Sequence, residues 1–329
     1  MHIEDTPRMD PRLAQRLAEK RAELDRHRPL SPATVQYINE QLRVLLTYHS
    51  NAIEGNTLSL RETQLVIDHG MTVGGHSLRE HLEATNHAQA FAYLTELIEQ
   101  RAPITRAVIL ALHGLVVDKL IDQPGQFRTG PVTIRGARMQ PPHAAQVAPL
   151  MRAWLAWIAG EGKAYPAVLR AAIAHHGFEA VHPFRDGNGR TGRLLMNLML
   201  MQDGYPPALL LQEWRLAYLE ALAVADSGRY GSIANLIGRA VEQGLDLYLE
   251  ACDQTPVPEE AGEESLAVLA REFGYTTDYL SLLIRKGRLA ATKRGPRWYS
   301  TRAAIERYRQ EVAAGVVPTG RPRGRSRKR

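Results

Sequence analysis

The sequence predicts a mainly α-helical protein: a large helical core with a small β-hairpin flap, followed by a small C-terminal winged helix-turn-helix. Three observations favour this class. Most of the chain falls into segments whose apolar residues recur at helical spacing, and Gly and Pro separate these segments. Only residues 125–142 interrupt that pattern before the C-terminal part of the chain. Hydrophobic residues make up 44% and charged residues 23% of the 329 residues, as is typical of a globular protein.

Nine segments are predicted as the helices of the large core. Residues 11–28, the first of them, place apolar side chains at helical spacing among charges. The other eight are residues 33–50, 76–100, 104–120, 146–159, 166–179, 190–202, 213–225 and 231–251.

The remaining segments of the chain have other compositions. Residues 125–142 contain Val-Thr-Ile between Gly and Pro, which predicts a short hairpin or an extended flap. Residues 253–264 are rich in Pro and Glu, which predicts a linker. Residues 313–329 end in ten residues with six basic and no apolar side chains, which predicts a disordered basic tail.

Composition excludes several classes of protein. The single cysteine, Cys252, excludes a disulfide framework and a cysteine-rich zinc site. The N-terminus lacks the apolar run of a secretory signal. The longest charge-free apolar stretch, residues 107–117, has eleven residues and is too short to span a bilayer. We therefore expect a cytoplasmic protein with no membrane partner.

The positive charge of the chain is concentrated near its C-terminus. Residues 264–329 hold 16 Lys and Arg against 5 Asp and Glu, a net charge of +11. Because the whole chain carries +6, the rest is acidic at −5. Any binding of polyanions such as nucleic acid is therefore expected in the C-terminal part.

The most informative stretch is residues 182–193, with the sequence HPFRDGNGRTGR. It lies between two predicted helices, so it forms a loop that opens the second helix. Gly187, Asn188 and Gly189 can adopt backbone angles that let successive N–H groups surround an anion. The helix that follows adds the positive end of its dipole. Arg190 and Arg193, three residues apart, can face the same side and bind phosphate oxygens.

The same stretch holds a carboxylate and an imidazole. Asp186 beside a phosphate-binding loop becomes useful with Mg²⁺, which binds one or two carboxylates together with phosphate oxygens. His182 can accept a proton from an attacking hydroxyl near neutral pH. A glycine-rich turn with a capping residue and a surface histidine is the structural alternative. The combination of all these groups favours phosphoryl-group transfer.

These residues resemble the signature of the Fic family of protein adenylyltransferases, HPFx[D/E]GNGRxxR, at every defined position. The resemblance extends over roughly residues 35–250, including the run LREHLEATNHA at 78–88 and the predicted flap. It implies an all-helical Fic core at 111–252, preceded by an N-terminal helical region at 1–110.

The resemblance also implies the chemistry. His182 would deprotonate a Ser, Thr or Tyr hydroxyl of an unidentified target protein, which would attack the α-phosphate of ATP. Asp186 would hold Mg²⁺, and the flap would align the target by strand addition. The predicted nucleotide-binding residues are Gly187, Asn188, Gly189, Arg190, Thr191, Gly192, Arg193 and Tyr218.

The base-binding part of the signature is incomplete. Relatives carry a Tyr-Tyr pair where this chain has Tyr218 and Leu219, and the preceding segment LLQEWR departs from the usual Ile-x-x-Asn-Arg. The choice of base is therefore less well defined than the chemistry, and UTP or another nucleotide is an alternative to ATP.

Residues 50–56, SNAIEGN, contain a second element of the resemblance. Ser50 and Glu54 lie one turn apart on a predicted helix. The simple interpretation is a helix that ends at Gly55 with a solvated Glu54. The pattern [S/T]xxxE[G/N] is similar to the inhibitory helix of Fic proteins, here at about 45–55. By that analogy Glu54 would bind Arg193 in place of the γ-phosphate, or would position a water that removes AMP.

Residues 265–312 resemble a winged helix-turn-helix of the MerR or excisionase type. Helix 276–286 would enter a DNA major groove, and the hairpin at 288–299 would meet phosphates. The candidate DNA-binding residues are Thr276, Thr277, Tyr279, Lys293, Arg294 and Arg297, and the basic tail would add salt-sensitive affinity. The alternative is a protein-interaction module.

Two further functions compete with adenylyl transfer: a DNA-binding transcriptional regulator whose core senses nucleotide, and an enzyme of the same fold that transfers another phosphate-containing group. An intact His182 and Asp186 favour catalysis. A homodimer is a further expectation. Structural or surface roles are expected for His113, His143, His175 and His176, because their spacing matches no metal-ligand pattern.

Overall fold

A computed structural model of the chain describes residues 7–133, 140–254, 263–294 and 297–313. They form two compact units, which divide between Asp253 and Gln254. The described part of the first unit contains two short 3₁₀ turns and ten α-helices. These are α1 (Pro11–Arg26), α2 (Pro32–Ile53), α3 (Leu60–His69), α4 (Leu78–Glu99), α5 (Arg106–Val116), α6 (Ala144–Ala159), α7 (Ala167–Val181), α8 (Asn188–Gln202), α9 (Arg215–Ala225) and α10 (Gly231–Gln254).

Side-chain caps fix where several of these helices begin. At α4, the Ser77 hydroxyl accepts a hydrogen bond from the Glu80 backbone N–H, and the Glu80 carboxylate accepts one from the Ser77 backbone N–H. The same reciprocal box joins Ser59 and Glu62 at α3. Each box satisfies two backbone donors that a helix start leaves free. The box at Ser77 fixes the start of α4, and therefore the position of the charged side chains of its first turns.

A central pair of antiparallel helices, α7 and α8, forms the middle of the first unit. Almost every residue of α8 from Asn188 to Leu200 is buried, as is α7 from Ala171 to Phe178. Such all-round burial is found in helices that cross the interior of a domain. The loop that joins this pair, residues 182–187, is hereafter the motif loop, and two fully packed helices hold its ends.

Two hydrophobic clusters lie on either side of the central pair. One cluster packs α2, α4, α5 and α6 against it through residues such as Phe91, Leu112 and Phe178. The other packs α1, α9 and α10 against it through residues such as Leu17 and Ile237. Because both clusters share α7 and α8, residues 7–253 form one core.

All nine predicted segments are helical, with ends shifted by a few residues. The sequence analysis missed α3. The predicted division at residue 110 falls inside α5, whose buried residues pack in the same cluster as α8. The described parts of the predicted flap, 125–133 and 140–142, form no strand. Its centre, residues 134–139, lies outside the described residues.

The second unit has the element order β1 (Glu263–Ser265), α11 (Leu266–Phe273), α12 (Thr277–Arg285), β2 (Thr292–Arg294), β3 (Arg297–Thr301) and α13 (Arg302–Ala313). Strand β3 lies between β1 and β2 and is antiparallel to both. A small cluster that includes Leu269, Leu280 and Ile305 forms its core.

The helices and the hairpin of this unit follow the predicted order, but the predicted linker is too long. Asp253 still belongs to α10, and Glu263 and Glu264 pair with Thr301 and Ser300 in the sheet. Backbone pairing with β3 and an ion pair of Glu264 to Arg302 at 2.8 Å hold this strand. The rest of the linker, the tip of the hairpin at 295–296 and the tail from 314 lie outside the described residues. None of the described helices is long and apolar enough to cross a bilayer.

Candidate active site

The motif loop begins at His182 in an unusual backbone conformation. His182 ends α7 with φ 48° and ψ 61°, the left-handed region that a non-glycine residue adopts at a cost. Its N–H donates to the carbonyl of Phe178 at 3.0 Å. The turn directs the chain away from α7 within one residue. It therefore holds the imidazole at the start of the loop.

Two side chains hold the rest of the loop. Asn188 accepts a hydrogen bond from the Phe184 N–H at 2.8 Å and donates one to the Phe184 carbonyl at 2.9 Å. His113 on α5 stacks on the Phe184 ring at 3.6 Å and lies 3.0 Å from the Asp186 carbonyl through Nε2. Its Nδ1 accepts from the Gly125 N–H at 3.0 Å, so Nε2 carries the proton. His113 is therefore structural, as expected.

The N-terminus of α8 opens onto a cavity of ≈ 660 Å³. Gly187 caps this helix with φ 76°, and a Cβ there would lie 2.6 Å from Val117 Cγ1. Glycine is therefore required on both conformational and steric grounds. Gly187, Asn188, Gly189 and Arg190 line the cavity. The free N–H groups and the dipole of a helix start make this wall suited to an anion.

Asp186 lies beside that anion-binding wall and also lines the cavity. Its carboxylate accepts from the Gly187 N–H at 2.6 Å and contacts Arg190 at 3.4 Å and Arg79. Burial opposes its ionisation, but Arg190 and Arg79 outweigh burial and lower the pKa of Asp186. The carboxylate is thus an anion at neutral pH.

An anionic carboxylate at the edge of an anion-binding cavity fits Mg²⁺, which completes its coordination with phosphate oxygens and water. No group of three metal-binding side chains occurs among the described residues. The site can therefore hold Mg²⁺ through Asp186 only together with a phosphate-bearing ligand.

His182 lines the same cavity. Burial lowers the pKa of His182, so the ring is neutral at pH 7. Its Nδ1 is buried, which leaves Nε2 as the nitrogen that can face the cavity. Nδ1 lies 4.0 Å from the carboxyl of Glu179, one turn earlier on α7. Burial raises the pKa of Glu179 to about 8 against the opposing effect of Arg193.

Arg193 is one turn beyond Arg190 and is covered by α2. Its Nε donates to the Ser50 hydroxyl at 3.0 Å, and its Nη2 donates to the Ser50 carbonyl and to Glu54 Oε1, both at 2.8 Å. Nη1 is buried and has no hydrogen-bond partner among the described residues. Glu54 lines the cavity, whereas Arg193 does not. The structure thus places Ser50 and Glu54 on Arg193, with Glu54 on the cavity side.

Three of the predicted nucleotide-binding residues, Thr191, Gly192 and Arg193, do not line the cavity. Thr191 is fully buried, and a Cβ at Gly192 would meet Glu179 Oε1 and the Phe178 ring of α7. Successive residues of a helix turn by about 100°, so neighbours of the cavity-lining residues face other parts of the core. A nucleotide contact of Thr191 and Gly192 stays a prediction, and the structure shows Gly192 at the packing of α7 on α8.

The cavity lining also includes a group of apolar residues from α9. Tyr218 is buried, with its hydroxyl 2.7 Å from His175 Nε2, and Leu219, Leu222 and Ala223 line the cavity with it. His176 also lines the cavity and pairs with Asp226 at 3.0 Å. These apolar side chains and the Tyr218 ring offer a surface that suits a planar base.

Three side chains near the motif loop were not singled out from the sequence. Arg79 and Glu83 lie on α4, within the run quoted for the family resemblance, and Arg128 follows the predicted flap's first glycine. Arg128 donates through Nε to the His182 carbonyl at 2.8 Å. Its two terminal nitrogens donate to the carbonyls of Gly130 at 3.1 Å and Pro142 at 2.6 Å. Arg128 therefore links both described ends of the flap to the motif loop.

The C-terminal candidates separate into two groups. Thr276 caps α12 by accepting from the Tyr279 N–H at 3.2 Å, and the Tyr279 hydroxyl shares a hydrogen bond with that of Tyr308 at 2.8 Å. Both side chains thus have partners inside the unit, and their contact with DNA stays a prediction.

Thr277, Lys293 and Arg297 are exposed. The Lys293 ammonium lies 5.9 Å from the centre of the Trp298 ring. Arg294 is paired opposite Arg297 in the hairpin. The described basic groups of the hairpin therefore remain available to a partner.

Comparison with known proteins identifies relatives of the chain. The model of the Fic/DOC family matches residues 103–200. The protein adenylyltransferase Fic of Drosophila virilis is 38% identical over 213 residues, which is 64% of this chain and 43% of that protein. The corresponding protein of Culex quinquefasciatus is 34% identical over 273 residues, 81% of this chain and 54% of that protein. The chain spans about half the length of these curated relatives.

A solved structure of Fic-1 from C. elegans superposes with a TM-score of 0.66 at 30% identity, and the match covers 73% of this chain and 72% of that one.

Proposed function

The chain belongs to the Fic/DOC family, and on that premise we propose that it transfers AMP from ATP to a Ser, Thr or Tyr hydroxyl of a target protein. The observation that carries this proposal is that His182, Asp186 and the N-terminus of α8 open onto one cavity. A protein that only sensed a nucleotide would not need a neutral imidazole beside its phosphate site. The relatives named protein adenylyltransferases support the same conclusion.

His182 acts as the general base. Burial keeps its ring neutral at pH 7, so Nε2 can accept the proton of the target hydroxyl. The hydroxyl oxygen then forms a bond to the α-phosphorus while the bond from that phosphorus to the bridging oxygen of pyrophosphate breaks. The proton leaves His182 for the pyrophosphate or for water, which returns the base to its neutral form.

The N-terminus of α8 binds and orients the phosphates. Gly189 and Arg190 line the cavity at this helix start, and the free N–H groups there, with the Arg190 guanidinium, would balance the negative charge that the reaction redistributes. Bound at Asp186, Mg²⁺ would neutralise phosphate charge and make pyrophosphate a better leaving group. The apolar side chains near Tyr218 would hold the base.

Glu54 is proposed to restrain this activity. Its carboxylate is bound to Arg193 at 2.8 Å and lies between that guanidinium and the cavity. A terminal phosphate oxygen is the natural partner of a buried guanidinium, so phosphate and Glu54 compete for the same donors. ATP entering while Glu54 is in place would bind without this contact and in a less productive position.

Transfer and restraint are tested together. Wild type, Glu54→Gly, His182→Ala and the double variant are incubated with α-labelled ATP and Mg²⁺ and separated on a denaturing gel. We expect strong self-labelling of Glu54→Gly, labelling of wild type weaker by about tenfold or more, and none of the double variant. Folded variants that bind ATP yet remain unlabelled would contradict the transfer. Equal labelling of wild type and Glu54→Gly would contradict the restraint alone.

DNA binding by the C-terminal unit is the second candidate function. It is favoured by the exposed Lys293 and Arg297 of the hairpin and by Arg285 and Lys286 at the exposed end of α12. These basic groups would contact phosphates and give a salt-dependent affinity. Retardation of duplex DNA by the full chain, weakened in Lys293→Ala/Arg297→Ala, is the expected result. No retardation at low salt would favour a protein-interaction module.

A further inference from the structure

Four charged side chains on one wall of the cavity form a closed ring of alternating sign. Arg79 contacts Asp186, and its Nε donates to Glu83 Oε1 at 3.2 Å. Arg190 closes the ring through Nη1 to Glu83 Oε1 and Nη2 to Asp186 Oδ1, each at 3.4 Å. All four residues line the cavity. The two acidic and two basic groups therefore balance one another where phosphates are proposed to bind.

The two sides of this ring differ in exposure. The Arg190 and Glu83 side chains are 3% and 13% exposed, and Asn56 donates to Glu83 Oε2 at 3.1 Å. The Arg79 and Asp186 side chains are 50% and 36% exposed. Tightly buried groups keep their contacts, whereas an exposed ion pair contributes little and exchanges readily. The ring is therefore built to open between Arg79 and Asp186.

We propose that Arg79 occupies the place of the divalent cation beside Asp186 in the resting chain, and that the metal and Arg79 exclude each other on this carboxylate. The inference rests on the proposed function, because the metal enters with the nucleotide. It assigns to Arg79 a role as a positioning residue of the metal carboxylate. Either Arg79 or the metal then neutralises Asp186, so this carboxylate does not repel a triphosphate in either state.

When the contact between Arg79 and Asp186 opens, the Arg79 guanidinium can stay bound to Glu83. The contact of its Nε with Glu83 does not involve Asp186, so it can persist when a metal displaces the guanidinium from the carboxylate. The displaced charge stays at the cavity wall, where phosphate oxygens are its new partners. Without Arg79 and without metal, by contrast, the Asp186 carboxylate is neutralised only by Arg190 and repels the nucleotide.

We expect Arg79 to have opposite effects on ATP binding in the absence and in the presence of metal. Removal of its charge should weaken metal-free ATP binding, because Asp186 is then less neutralised. The same removal should strengthen the contribution of metal, because the metal no longer competes with a guanidinium. The ratio of the dissociation constants for ATP without and with metal measures this coupling.

The chain offers a matched control at Arg185. This arginine lines the same cavity, carries the same charge and forms no ion pair among the described residues. Arg185→Ala therefore changes the general electrostatic attraction of the cavity without vacating Asp186. Arg79→Lys retains the charge but replaces the planar fork with a point charge.

The experiment measures ATP binding by calorimetry in EDTA and in saturating Mg²⁺ for wild type, Arg79→Ala, Arg79→Lys and Arg185→Ala. We expect the coupling ratio of Arg79→Ala to rise by about fivefold, the value of one exposed ion pair. Arg79→Lys should lie between Arg79→Ala and wild type. Arg185→Ala should weaken binding in both conditions and leave the ratio unchanged.

A second readout follows the metal by electron paramagnetic resonance. With inorganic pyrophosphate supplying the phosphate oxygens, Mn²⁺ should bind more tightly to Arg79→Ala than to wild type or Arg185→Ala. An unchanged ratio together with unchanged Mn²⁺ binding, or equal shifts in Arg79→Ala and Arg185→Ala, would overturn the inference. Neither readout requires transfer, so a chain that shows the coupling but labels no protein would contradict only the proposed function.

Discussion

At the scale of single residues, the environment of His182 sets the pH range of the reaction. Burial lowers the pKa of its ring, and the Arg128 guanidinium adds to this effect, whereas Glu54 and Asp186 oppose it. A base works only when it is deprotonated, so a lowered pKa extends activity toward acid. In Glu54→Gly one of the opposing carboxylates is absent, and the pKa falls further.

We therefore expect the acid limb of kcat/KM for AMP transfer by Glu54→Gly to have its midpoint below pH 6.5, the ordinary value for histidine. Initial rates with α-labelled ATP between pH 5 and 8 measure this midpoint. Glu179→Gln in the same background is the control, because it removes the neighbouring buried carboxyl but keeps the imidazole. A midpoint at or above pH 6.5 would show that His182 is not held in this buried environment.

Single residues of the site differ in how far the sequence predicts them. Those of the motif loop could be assigned because they are neighbours in the chain, and their types and spacing indicate their chemical roles. Arg79 could not, because it reaches Asp186 from 107 positions earlier, across the packing of α4 on α8. Thr191 and Gly192 were included although they do not line the cavity, because the pattern does not show which face of α8 looks into it.

At the scale of elements, Arg128 joins three parts of the chain that packing alone does not hold. Its side chain donates to carbonyls at His182, Gly130 and Pro142, and its backbone N–H donates to the Pro183 carbonyl at 2.9 Å. Burial lowers its pKa, and its side-chain hydrogen bonds all go to carbonyl oxygens. Arg128 therefore fixes the described ends of the flap relative to the base.

Arg128→Lys should separate acceptor alignment from nucleotide binding. Lysine keeps the charge but cannot reach all of these carbonyls at once, so the flap ends and His182 lose their fixed relation. We expect transfer to a protein acceptor to fall by about tenfold to a hundredfold, with ATP affinity within about twofold of the parent. Labelling rates and calorimetry in the Glu54→Gly background test this. An equal loss of ATP affinity would mean that the whole cavity has collapsed.

Helices were predicted best where the hydrophobic pattern was long and regular. The nine long segments gave the helices because their apolar faces repeat over several turns. Helix α3 was not predicted because it has only ten residues and lies among glycine-containing turns. Its start depends on the capping box of Ser59 and Glu62, which is a local signal that the apolar pattern does not contain. The start of β1 depends on pairing with β3, some 35 residues later, which no local pattern predicts.

At the scale of the whole molecule, the histidines are confined to the first unit. The last histidine of the sequence is His182, so the second unit has none. Burial lowers the pKa of His87 and His175 to about 3 and that of His113 to about 4. These three rings are neutral when folded and gain protons more readily when unfolded. Between pH 6.5 and 4 the unfolded chain thus binds more protons, and stability falls as pH falls.

Glu179 acts in the opposite direction. Its raised pKa, about 8, means that the folded state binds a proton that the unfolded state does not hold above pH 4.5. It therefore stabilises the fold as pH decreases from 8. One group of this kind is outweighed, because burial also lowers the pKa of His49, His176 and His182.

Lowering the pH from 7.5 to 5.5 should therefore reduce the free energy of unfolding of the first unit by about 1.5 kcal/mol or more, with little change in the second. Fluorine NMR of the chain labelled with 5-fluorotryptophan follows both units through a urea titration. Trp154, Trp157 and Trp214 report the first unit and Trp298 the second, and Trp298→Phe assigns the signals. Because Glu179→Gln removes the opposing group, it should steepen the loss in the first unit only. Equal shifts in both units would mean that buried imidazoles do not govern this pH dependence and that a charge effect common to the whole chain does.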